Sequence, residues 1–363
     1  MRIQFVNENI GGHATMHRHV RAALANSTSI HPTFLDLPTP SLARRLLGAQ
    51  VPVLDRLDLD LQLIRARLTQ SAVARRHLSR LETTPDLLHF YTQNTALLSV
   101  DLMRRIPSVV SIDATNRQNS YLLPYRRPTR FTPASVAATH WMERRVLVSA
   151  RRIVAHSLWA ADSVLGYGIP ASRVEVIPFG ISVPPARPAM PSNDLPRIAF
   201  VGTSMERKGG WHLLRIWKRF LSDRSRLVLV TPERVTPEPG IEVRNDVRPG
   251  DGRLEEILAG SDIFAFPSMM DTYGYALIEA MAAELPVVAL DHAAAPEIVA
   301  DGITGHVVPR GDDEAFASAL LGLIGDADAR QEMGVAGRRR VLERFDAEVT
   351  TAGLMSVMRD VLA

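Results

Sequence analysis

The chain has 363 residues, of which 46% are hydrophobic and 22% are charged, a balance typical of a soluble globular protein rather than a disordered or fibrous one. This length exceeds that of one ordinary core, so we expect two domains of about 150 to 200 residues. The absence of cysteine excludes disulfides, thiolate metal sites and a cysteine nucleophile, and it fits a reducing compartment.

The net charge of +3 is unevenly distributed. Residues 1–185 carry 22 Arg and no Lys against 12 acids, a net charge of +10, whereas residues 186–363 carry 20 Arg and Lys against 27 acids, a net charge of −7. A basic half suits an anionic partner such as a membrane surface, a lipid phosphate or a nucleic acid, and a solvated Arg-rich surface is an equal alternative. The candidate membrane contacts are Arg126, Arg127 and Arg130, beside apolar residues in YLLPYRRPTRF.

The first residues, MRIQFVNENIGG, are polar where a signal peptide needs an apolar core, and no run of about 18 apolar residues occurs. We therefore expect neither secretion by that route nor a membrane-spanning helix. The expected location is cytoplasmic, with peripheral attachment to the inner face of the membrane as an open alternative.

Short apolar runs alternate with helical segments along the chain. The predicted strands are residues 2–6, 87–92, 108–113, 151–157 and 174–180, followed by 197–202, 226–231, 263–267 and 286–290. This alternation is typical of parallel sheets covered by helices. We predict an α/β fold with two doubly wound domains that face each other across a cleft, with ligands beyond the carboxyl ends of the strands.

The segment ISVPPARPAMPSNDLP at 181–196 is rich in proline and lacks periodicity, as expected of a linker. We therefore place an N-terminal domain at 1–185 and a C-terminal domain at 186–345, followed by a helix at 346–363.

Two adjacent cations follow the first strand of the second domain. In VGTSMERKGG, Arg207 and Lys208 lie between a predicted strand and a predicted helix, where a parallel sheet presents its ligands. A guanidinium and an ammonium beside backbone amides suit a diphosphate, because both donate to phosphate oxygens and offset the charge of a leaving phosphate. A solvated basic loop is the alternative.

The stretch DTYGYALIE contains two carboxylates, Asp271 and Glu279, around a predicted helix start near Tyr275. A helix start beside Gly274 presents amide N–H groups to an anion. The two carboxylates could accept hydrogen bonds from the hydroxyl groups of a ribose and of a donor sugar. In the alternative interpretation, Asp271 caps the helix and Glu279 is a first-turn charge favoured by the helix dipole.

Together these features give the chain a resemblance to the retaining glycosyltransferases of family 4, which have two Rossmann-like domains in the GT-B fold. Six segments carry the resemblance in the family's order: the glycines at 11–12, VAHSLWAADSVLGYGIPASRVEVIPFGI at 154–181, VGTSMERKGG at 201–210, DTYGYALIEAMAAELPVVA at 271–289, APEIVADGITGHVVP at 295–309 and RVLERFD at 340–346. The resemblance extends over nearly the whole chain.

The resemblance implies a nucleotide-diphosphate sugar as donor, transfer with retention, no cofactor and no required metal. Arg207 and Lys208 would hold the diphosphate, Asp271 would bind hydroxyls of the donor sugar, and Glu279 would bind the ribose. The implied donor-binding positions also include Gly12, Gly202, Thr272, Tyr273, Gly274 and Tyr275.

On the acceptor side, the resemblance implies that Gly11 and Gly12 let the loop after the first strand approach donor phosphate and acceptor. His13 and His17, at helical spacing, are interpreted as surface or acceptor-side residues rather than metal ligands. The family's last helix, here 346–363, returns to the first domain.

The chain departs from the family pattern at three positions. The family's two carboxylates are commonly both Glu, whereas the first is the shorter Asp271 here. The family's Arg commonly lies five residues before the Lys, where this chain has Thr203. A first-domain His has no match, and Asp113 lies beside that position, where it would either contact the acceptor or transferred sugar or cap a helix.

The main hypothesis is a retaining glycosyltransferase that transfers a hexose-type sugar from a UDP- or GDP-linked donor to a glycan or lipid-linked acceptor, without a nucleic-acid partner. The segment GGHATMHRH lacks the GxGxxG fingerprint, so nicotinamide binding is disfavoured. A sugar-nucleotide epimerase and a non-catalytic subunit of the same architecture are the alternatives.

Overall fold

The computed structural model describes the chain except residues 10, 26, 39–45, 47, 50, 52–53, 55–57, 59–60, 121–128, 187–194 and 249, and it leaves out the side chain of Leu63. Arg126, Arg127 and part of the predicted linker lie outside the described residues. The chain divides into two compact units. Unit 1 is Met1–Gly180 with Ala347–Ala363, and unit 2 is Ile181–Asp346.

The units divide after Gly180, five residues before the predicted boundary at 185. Ile181 belongs to unit 2 because its amide donates to the carbonyl oxygen of Phe345 at 2.9 Å and because it forms a β-bridge with Asp346. Ala347–Ala363, which contains the final helix, belongs to unit 1.

The described residues of each unit include a six-stranded sheet. In unit 1 the strands are β1 (Arg2–Asn7), β2 (His31–Asp36), β3 (Leu87–Phe90), β4 (Ser108–Ile112), β5 (Arg152–Ala155) and β6 (Val174–Val176). In unit 2 they are β7 (Arg197–Val201), β8 (Arg226–Val230), β9 (Ile241–Arg244), β10 (Ile263–Phe266), β11 (Val287–Leu290) and β12 (Gly305–Val308).

Helices cover both sheets. In chain order they are α1 (Gly11–Leu24), α2 (Gln62–Leu78), α3 (Gln93–Ala96), α4 (Val100–Met103), α5 (Asn116–Asn119), α6 (Thr132–Ser149), α7 (Leu158–Leu165), α8 (Gly210–Phe220), α9 (Arg253–Ala259), α10 (Tyr275–Ala282), α11 (Ala295–Ile298), α12 (Asp313–Gly325), α13 (Ala327–Arg344) and α14 (Ala347–Leu362). A 3₁₀ turn, Ala171–Arg173, precedes β6.

All neighbouring strands are parallel, in the orders β2-β1-β3-β4-β5-β6 and β12-β11-β10-β7-β8-β9. The central strands are apolar runs buried on both faces, as in SVVSI and IFAF, because helices cover both sides of a parallel sheet. The predicted α/β class with two doubly wound sheets is confirmed. The predicted cleft between the domains stays a prediction.

The sequence interpretation missed β2, β9 and β12. All three lie at sheet edges, where a strand is covered less completely, and their burial alternates or is partial. The continuous apolar run by which a central parallel strand is recognised is therefore absent from them.

Among the described residues, no helix has both the length and the apolar composition needed to cross a membrane.

Candidate functional site

The two central strands of unit 2, β7 and β10, are neighbours in the sheet. From β7 the chain proceeds to β8 and β9 on one side, and β10 begins the other side with β11 and β12. The loops after β7 and β10, residues 202–209 and 267–274, therefore lie side by side at the carboxyl edge, and the chain continues from them to opposite sides of the sheet. Doubly wound sheets bind ligands at such a switch point.

Glycines allow these two loops to touch. Gly209 has a φ of 77°, which other residues rarely adopt, and a Cβ atom there would collide with the carbonyl oxygen of Pro267 in the second loop. A Cβ atom on Gly202 would lie 2.7 Å from the Phe200 ring and 2.9 Å from the Cβ of Lys208. Only glycine lets the backbone pack this closely beneath Lys208.

An ion pair joins the two loops. Lys208 donates from Nζ to Oδ2 of Asp271, and only 16% and 17% of the two side chains are exposed. Burial lowers the pKa of Lys208, the Asp271 carboxylate opposes this shift, and Arg207 adds to it. Because the pair is largely withdrawn from water, removing one partner leaves a poorly solvated charge.

Arg207 has a different environment from its neighbour. Its amide donates to Oγ of Ser204 at 3.4 Å, and its Nη2 donates to Oγ1 of Thr203 at 3.5 Å. No described carboxylate forms an ion pair with its guanidinium. Arg207 therefore retains N–H donors for an anion at this edge of the sheet.

Helix α10 begins directly after the second loop. Its N-cap is Gly274, with a φ of 91°, and no described side chain caps it. The interpretation of Asp271 as the helix cap is therefore wrong, and its carboxylate lies on Lys208 instead. The ring of Tyr273 is buried and lies 5.8 Å from that of Tyr275. The positive end of the helix dipole lies at Gly274, three residues after Asp271 in the chain.

Glu279 is the fifth residue of α10 and is half-buried. It lies beyond the first turn, so its interpretation as a first-turn charge favoured by the dipole is wrong. Burial raises the pKa of Glu279 to about 7, and Glu255 adds to the shift. A carboxyl group with this pKa changes its charge near neutrality and can donate as well as accept hydrogen bonds.

Two residues that the sequence interpretation did not single out also lie at this edge. Ser268 is 1% exposed, and its Oγ has no hydrogen-bond partner among the described residues. Burial lowers the pKa of His292, and the Asp271 carboxylate partly offsets this shift. Their positions in the sequence could have indicated both residues, because each lies within two positions of the end of a predicted strand.

In unit 1, α1 begins at Gly11, so Gly11 and Gly12 form its first turn rather than part of the predicted loop. His13 is 8% exposed and His17 is 4% exposed, which makes the surface interpretation of these two residues wrong. Nε2 of His13 lies 3.3 Å from Oδ1 of Asp113. The start of α1 and the end of β4 therefore meet at the carboxyl edge of this sheet.

Asp113 does not cap the helix that follows it, α5. Thr115 caps α5 instead, because its hydroxyl accepts from the amide of Gln118 in a capping box. Asp113 follows β4 directly and faces His13. Of the two interpretations left open for Asp113, the cap of the helix after β4 is therefore wrong, and contact with an acceptor or sugar stays a prediction.

His156, after β5, was missed by the sequence interpretation. It is 1% exposed, its Nδ1 lies 2.8 Å from the carbonyl oxygen of Ile177, and its ring stacks on Phe179 at 3.7 Å. Burial lowers its pKa to about 3, and His13, whose ring lies 5.7 Å away, adds to this shift. A neutral ring that donates from Nδ1 leaves Nε2 as an acceptor.

The predicted site residues thus fall into two groups. The group in unit 2 comprises Gly202, Arg207, Lys208, Asp271, Thr272, Tyr273, Gly274, Tyr275 and Glu279. The group in unit 1 comprises Gly11, Gly12, His13 and Asp113. Across the parts of the chain that the structure describes, no three His, Asp or Glu side chains are placed to hold a metal ion.

Comparison with known families gives two matches, one for each half of the chain. The model described as Glycosyltransferase Family 4 matches residues 10–183, and the model described as Glycosyl transferases group 1 matches residues 195–326. The alpha-maltose-1-phosphate synthase of Mycolicibacterium smegmatis is 33% identical over 258 residues, which is 61% of this chain and 66% of that protein. The MMP alpha-(1->4)-mannosyltransferase of Mycolicibacterium hassiacum is 26% identical, over 65% of this chain and 64% of that protein.

The matched region thus spans just under two thirds of the length of these relatives. Solved structures match over almost the whole chain. A sucrose-phosphate synthase from Thermosynechococcus elongatus has a TM-score of 0.76 at 15% identity and covers 99% of both chains. HepE of Anabaena, in complex with UDP and glucose, has a TM-score of 0.69 at 14% identity over 99% of this chain and 100% of that one. These likenesses show the fold, which is the expected GT-B fold.

Proposed function

We propose that this chain, which belongs to glycosyltransferase family 4, transfers a hexose-type sugar from a UDP- or GDP-linked donor to a glycan or lipid-linked acceptor, with retention at the anomeric carbon. The names of the relatives, a synthase of a sugar phosphate and a mannosyltransferase, support sugar transfer. The donor sugar and the acceptor class are part of the proposal.

The observation that carries the proposal is the Lys208–Asp271 ion pair between the two loops at the switch point of unit 2. In the proposed complex, the diphosphate lies against Lys208, the guanidinium of Arg207 and the first turn of α10. These groups supply two cations and a helix dipole, which suit two adjacent phosphates. Asp271 would then bridge Lys208 and hydroxyls of the donor sugar.

Glu279 would bind the ribose. A partly buried carboxyl group gains hydrogen bonds when it meets two vicinal hydroxyls, and burial and Glu255, which raise the pKa of Glu279, disfavour its charged form in the chain alone. Ribose hydroxyls would therefore favour the ionised form of Glu279 in the complex.

The proposed reaction needs no protein nucleophile. The bond between the anomeric carbon and the donor's β-phosphate oxygen breaks, the acceptor oxygen bonds to the same face of that carbon, and the acceptor proton passes to the departing phosphate oxygen. Lys208 and Arg207 stabilise the negative charge that develops on the diphosphate, so the protein contributes position and electrostatics. A metal ion is not required in this scheme.

In unit 1, we assign the acceptor side to His13 and Asp113, with Gly11 and Gly12 at the start of α1. The pair of imidazole and carboxylate at 3.3 Å supplies one donor and several acceptors for hydroxyl groups. Where the acceptor is lipid-linked, we propose peripheral contact with an anionic membrane from the cytoplasmic side.

A panel of UDP- and GDP-linked hexoses tests the proposal. We expect at least one donor to raise the melting temperature of the chain and to release nucleotide when an acceptor is added. Conversion of the nucleotide sugar without an acceptor would favour an epimerase. A folded protein that neither binds nor turns over any donor would favour the non-catalytic subunit.

A further inference from the structure

Helix α6 of unit 1 turns an apolar and cationic face to solvent. Trp141 is 60% exposed and Val148 is 44% exposed. The exposed residues of the helix are Pro133, Ala134, Ala137, Ala138, Trp141, Arg144, Arg145 and Val148. None of them is acidic, so the face combines apolar surface with positive charge.

The one carboxylate of α6 points inward. Glu143 is fully buried and accepts hydrogen bonds from Nε2 of Gln93 at 2.9 Å, from the amide of Asn116 at 2.7 Å and from the hydroxyl of Tyr167. Burial raises its pKa. Glu143 is therefore an internal hydrogen-bond acceptor and does not neutralise the arginines on the outer face.

A surface pocket of about 520 Å³ adjoins this face. Its lining residues are Arg117, His140, Trp141, Arg144, Gly166 and Tyr167, with no carboxylate among them. Arg117 donates to the carbonyl oxygen of Gly166 and Arg144 to that of Tyr167, both at 3.3 Å. These bonds fix two guanidinium groups at one pocket, and each retains further N–H donors for an anion.

Arginine and aromatic rings are also paired along α6. The guanidinium of Arg145 lies 4.6 Å from the ring centre of Trp141, and that of Arg130, just before the helix, lies 4.7 Å from the ring centre of Phe131. Such pairs place an apolar body beside a charged group, which suits the boundary between lipid headgroups and acyl chains. A nucleic-acid backbone is bound by cationic and polar groups and offers no apolar layer for exposed apolar side chains.

We propose that this face of α6 docks on an anionic phospholipid bilayer and that the adjoining pocket takes a lipid phosphate. Unit 1 carries 23 Arg against 14 acids, a net charge of +9, which would draw it to such a surface. The 18 residues of α6 would lie in the plane of the interface. This inference deepens the proposed function, because a lipid-linked acceptor is met at a bilayer.

Vesicle co-sedimentation of the full chain, without donor or acceptor, tests the proposal. We expect binding to vesicles of phosphatidylcholine mixed with phosphatidylglycerol, weaker binding at higher salt, and little binding to phosphatidylcholine alone. The R144Q/R145Q variant should partition about 25-fold less, because each of the two arginines near an anionic surface contributes about fivefold. Trp141→Ala should also bind less, through lost apolar insertion.

The matched control is Arg219→Gln. Arg219 lies on α8 of unit 2, is exposed, and stacks on Phe220 at 4.7 Å, so it repeats the chemistry of Arg145 away from α6. This variant should bind vesicles as the unmodified chain does. Thermal unfolding of all three variants checks that a loss of binding does not reflect a loss of fold.

Three results would overturn the proposal: equal binding to neutral and anionic vesicles, unchanged binding of R144Q/R145Q, or self-association without lipid that this variant abolishes. The last result would assign the face to a second copy of the chain. Nucleotide release is measured separately with the same variants and should be unchanged, so failure of membrane docking and failure of sugar transfer are distinguishable.

Discussion

Lys208 and Asp271 are 63 positions apart in the chain and form an ion pair at the carboxyl edge of the sheet of unit 2. One residue belongs to the loop after β7 and the other to the loop before α10. Their contact joins the cation proposed for the diphosphate to the acid proposed for the sugar. Changes at either residue should therefore affect the other, which leads to the first two predictions.

Lys208→Ala should lower kcat/KM for nucleotide release by on the order of 10² to 10³, because the loss of one group that stabilises developing charge costs about this much. The matched control is Lys218→Ala, since Lys218 is the only other lysine, is exposed, and pairs with Glu238 at 2.6 Å. Steady-state assays compare both variants with the unmodified chain. Equal activity of the two variants would contradict the role of Lys208.

Asp271→Asn should move the alkaline limit of kcat/KM to lower pH. Asp271 raises the pKa of Lys208, whereas burial and Arg207 lower it. Without the carboxylate, only the two lowering influences remain, so the ammonium loses its proton at lower pH and the diphosphate loses its partner. A pH profile measures the shift, and Asp271→Glu, which keeps the charge, should restore most of the original limit. An unchanged alkaline limit in Asp271→Asn would show that the pair does not set it.

Glu279→Gln should increase stability above neutral pH. The folded pKa of about 7 lies above the ordinary value of 4.5, so the folded chain binds this proton more tightly than the unfolded chain. The resulting stabilisation is present below about pH 4.5 and is lost as the pH rises to about 7. At about pH 8 the variant should gain about 1 to 2 kcal/mol in free energy of unfolding, after allowance for partial exposure, and little at about pH 4.

The same variant should bind the donor less well, because a neutral amide replaces the carboxylate proposed for the ribose. Calorimetric titration with UDP or GDP at neutral pH measures this loss. Weaker binding together with higher stability is the pattern expected of a residue kept for its ligand. Unchanged nucleotide affinity would remove Glu279 from the donor site.

The fourth prediction concerns acid sensitivity of unit 1. Burial lowers the pKa of His17, His89 and His156, the last to about 3. Each ring therefore takes up its proton at a lower pH in the folded chain than in the unfolded chain, where protonation begins below about pH 6.5. Stability should therefore fall as the pH drops below 6.5, by up to about 1.4 kcal/mol per pH unit for each ring.

His156→Gln tests this reasoning, because glutamine does not titrate. Denaturant unfolding between about pH 6.5 and pH 4 should show a pH slope smaller by up to one proton than in the unmodified chain. His77 on α2 is exposed, so His77→Gln should leave the slope unchanged. A slope that His156→Gln does not alter would mean that this ring does not contribute to the acid sensitivity.

Much of the fold could be predicted because the central strands of both sheets are continuous apolar runs. RIAFV and IFAF, for example, are recognisable without tertiary information, and each is followed by a loop that carries polar site candidates. The position of Arg207, Lys208 and Asp271 at the carboxyl edge follows from that order alone. Edge strands such as β2 gave no comparable signal, since they are only partly covered.

Side-chain pairing could not be predicted in the same way. The helix start near Tyr275 was predicted correctly, but its N-cap is Gly274, which has a left-handed backbone, and the Asp271 carboxylate pairs with Lys208 instead. The contact between His13 and Asp113 depends on how the fold brings the start of α1 to the end of β4, 100 positions further along the chain. His156 gave no motif in the sequence, because its significance lies in burial and in a single backbone partner.

A crystal structure of the chain with a UDP- or GDP-hexose analogue that cannot transfer its sugar tests the central claim most directly. The account predicts diphosphate oxygens within hydrogen-bond distance of Nζ of Lys208 and of the Arg207 guanidinium, with the ribose on Glu279. A bound nucleotide whose diphosphate contacts neither Arg207 nor Lys208 would contradict it.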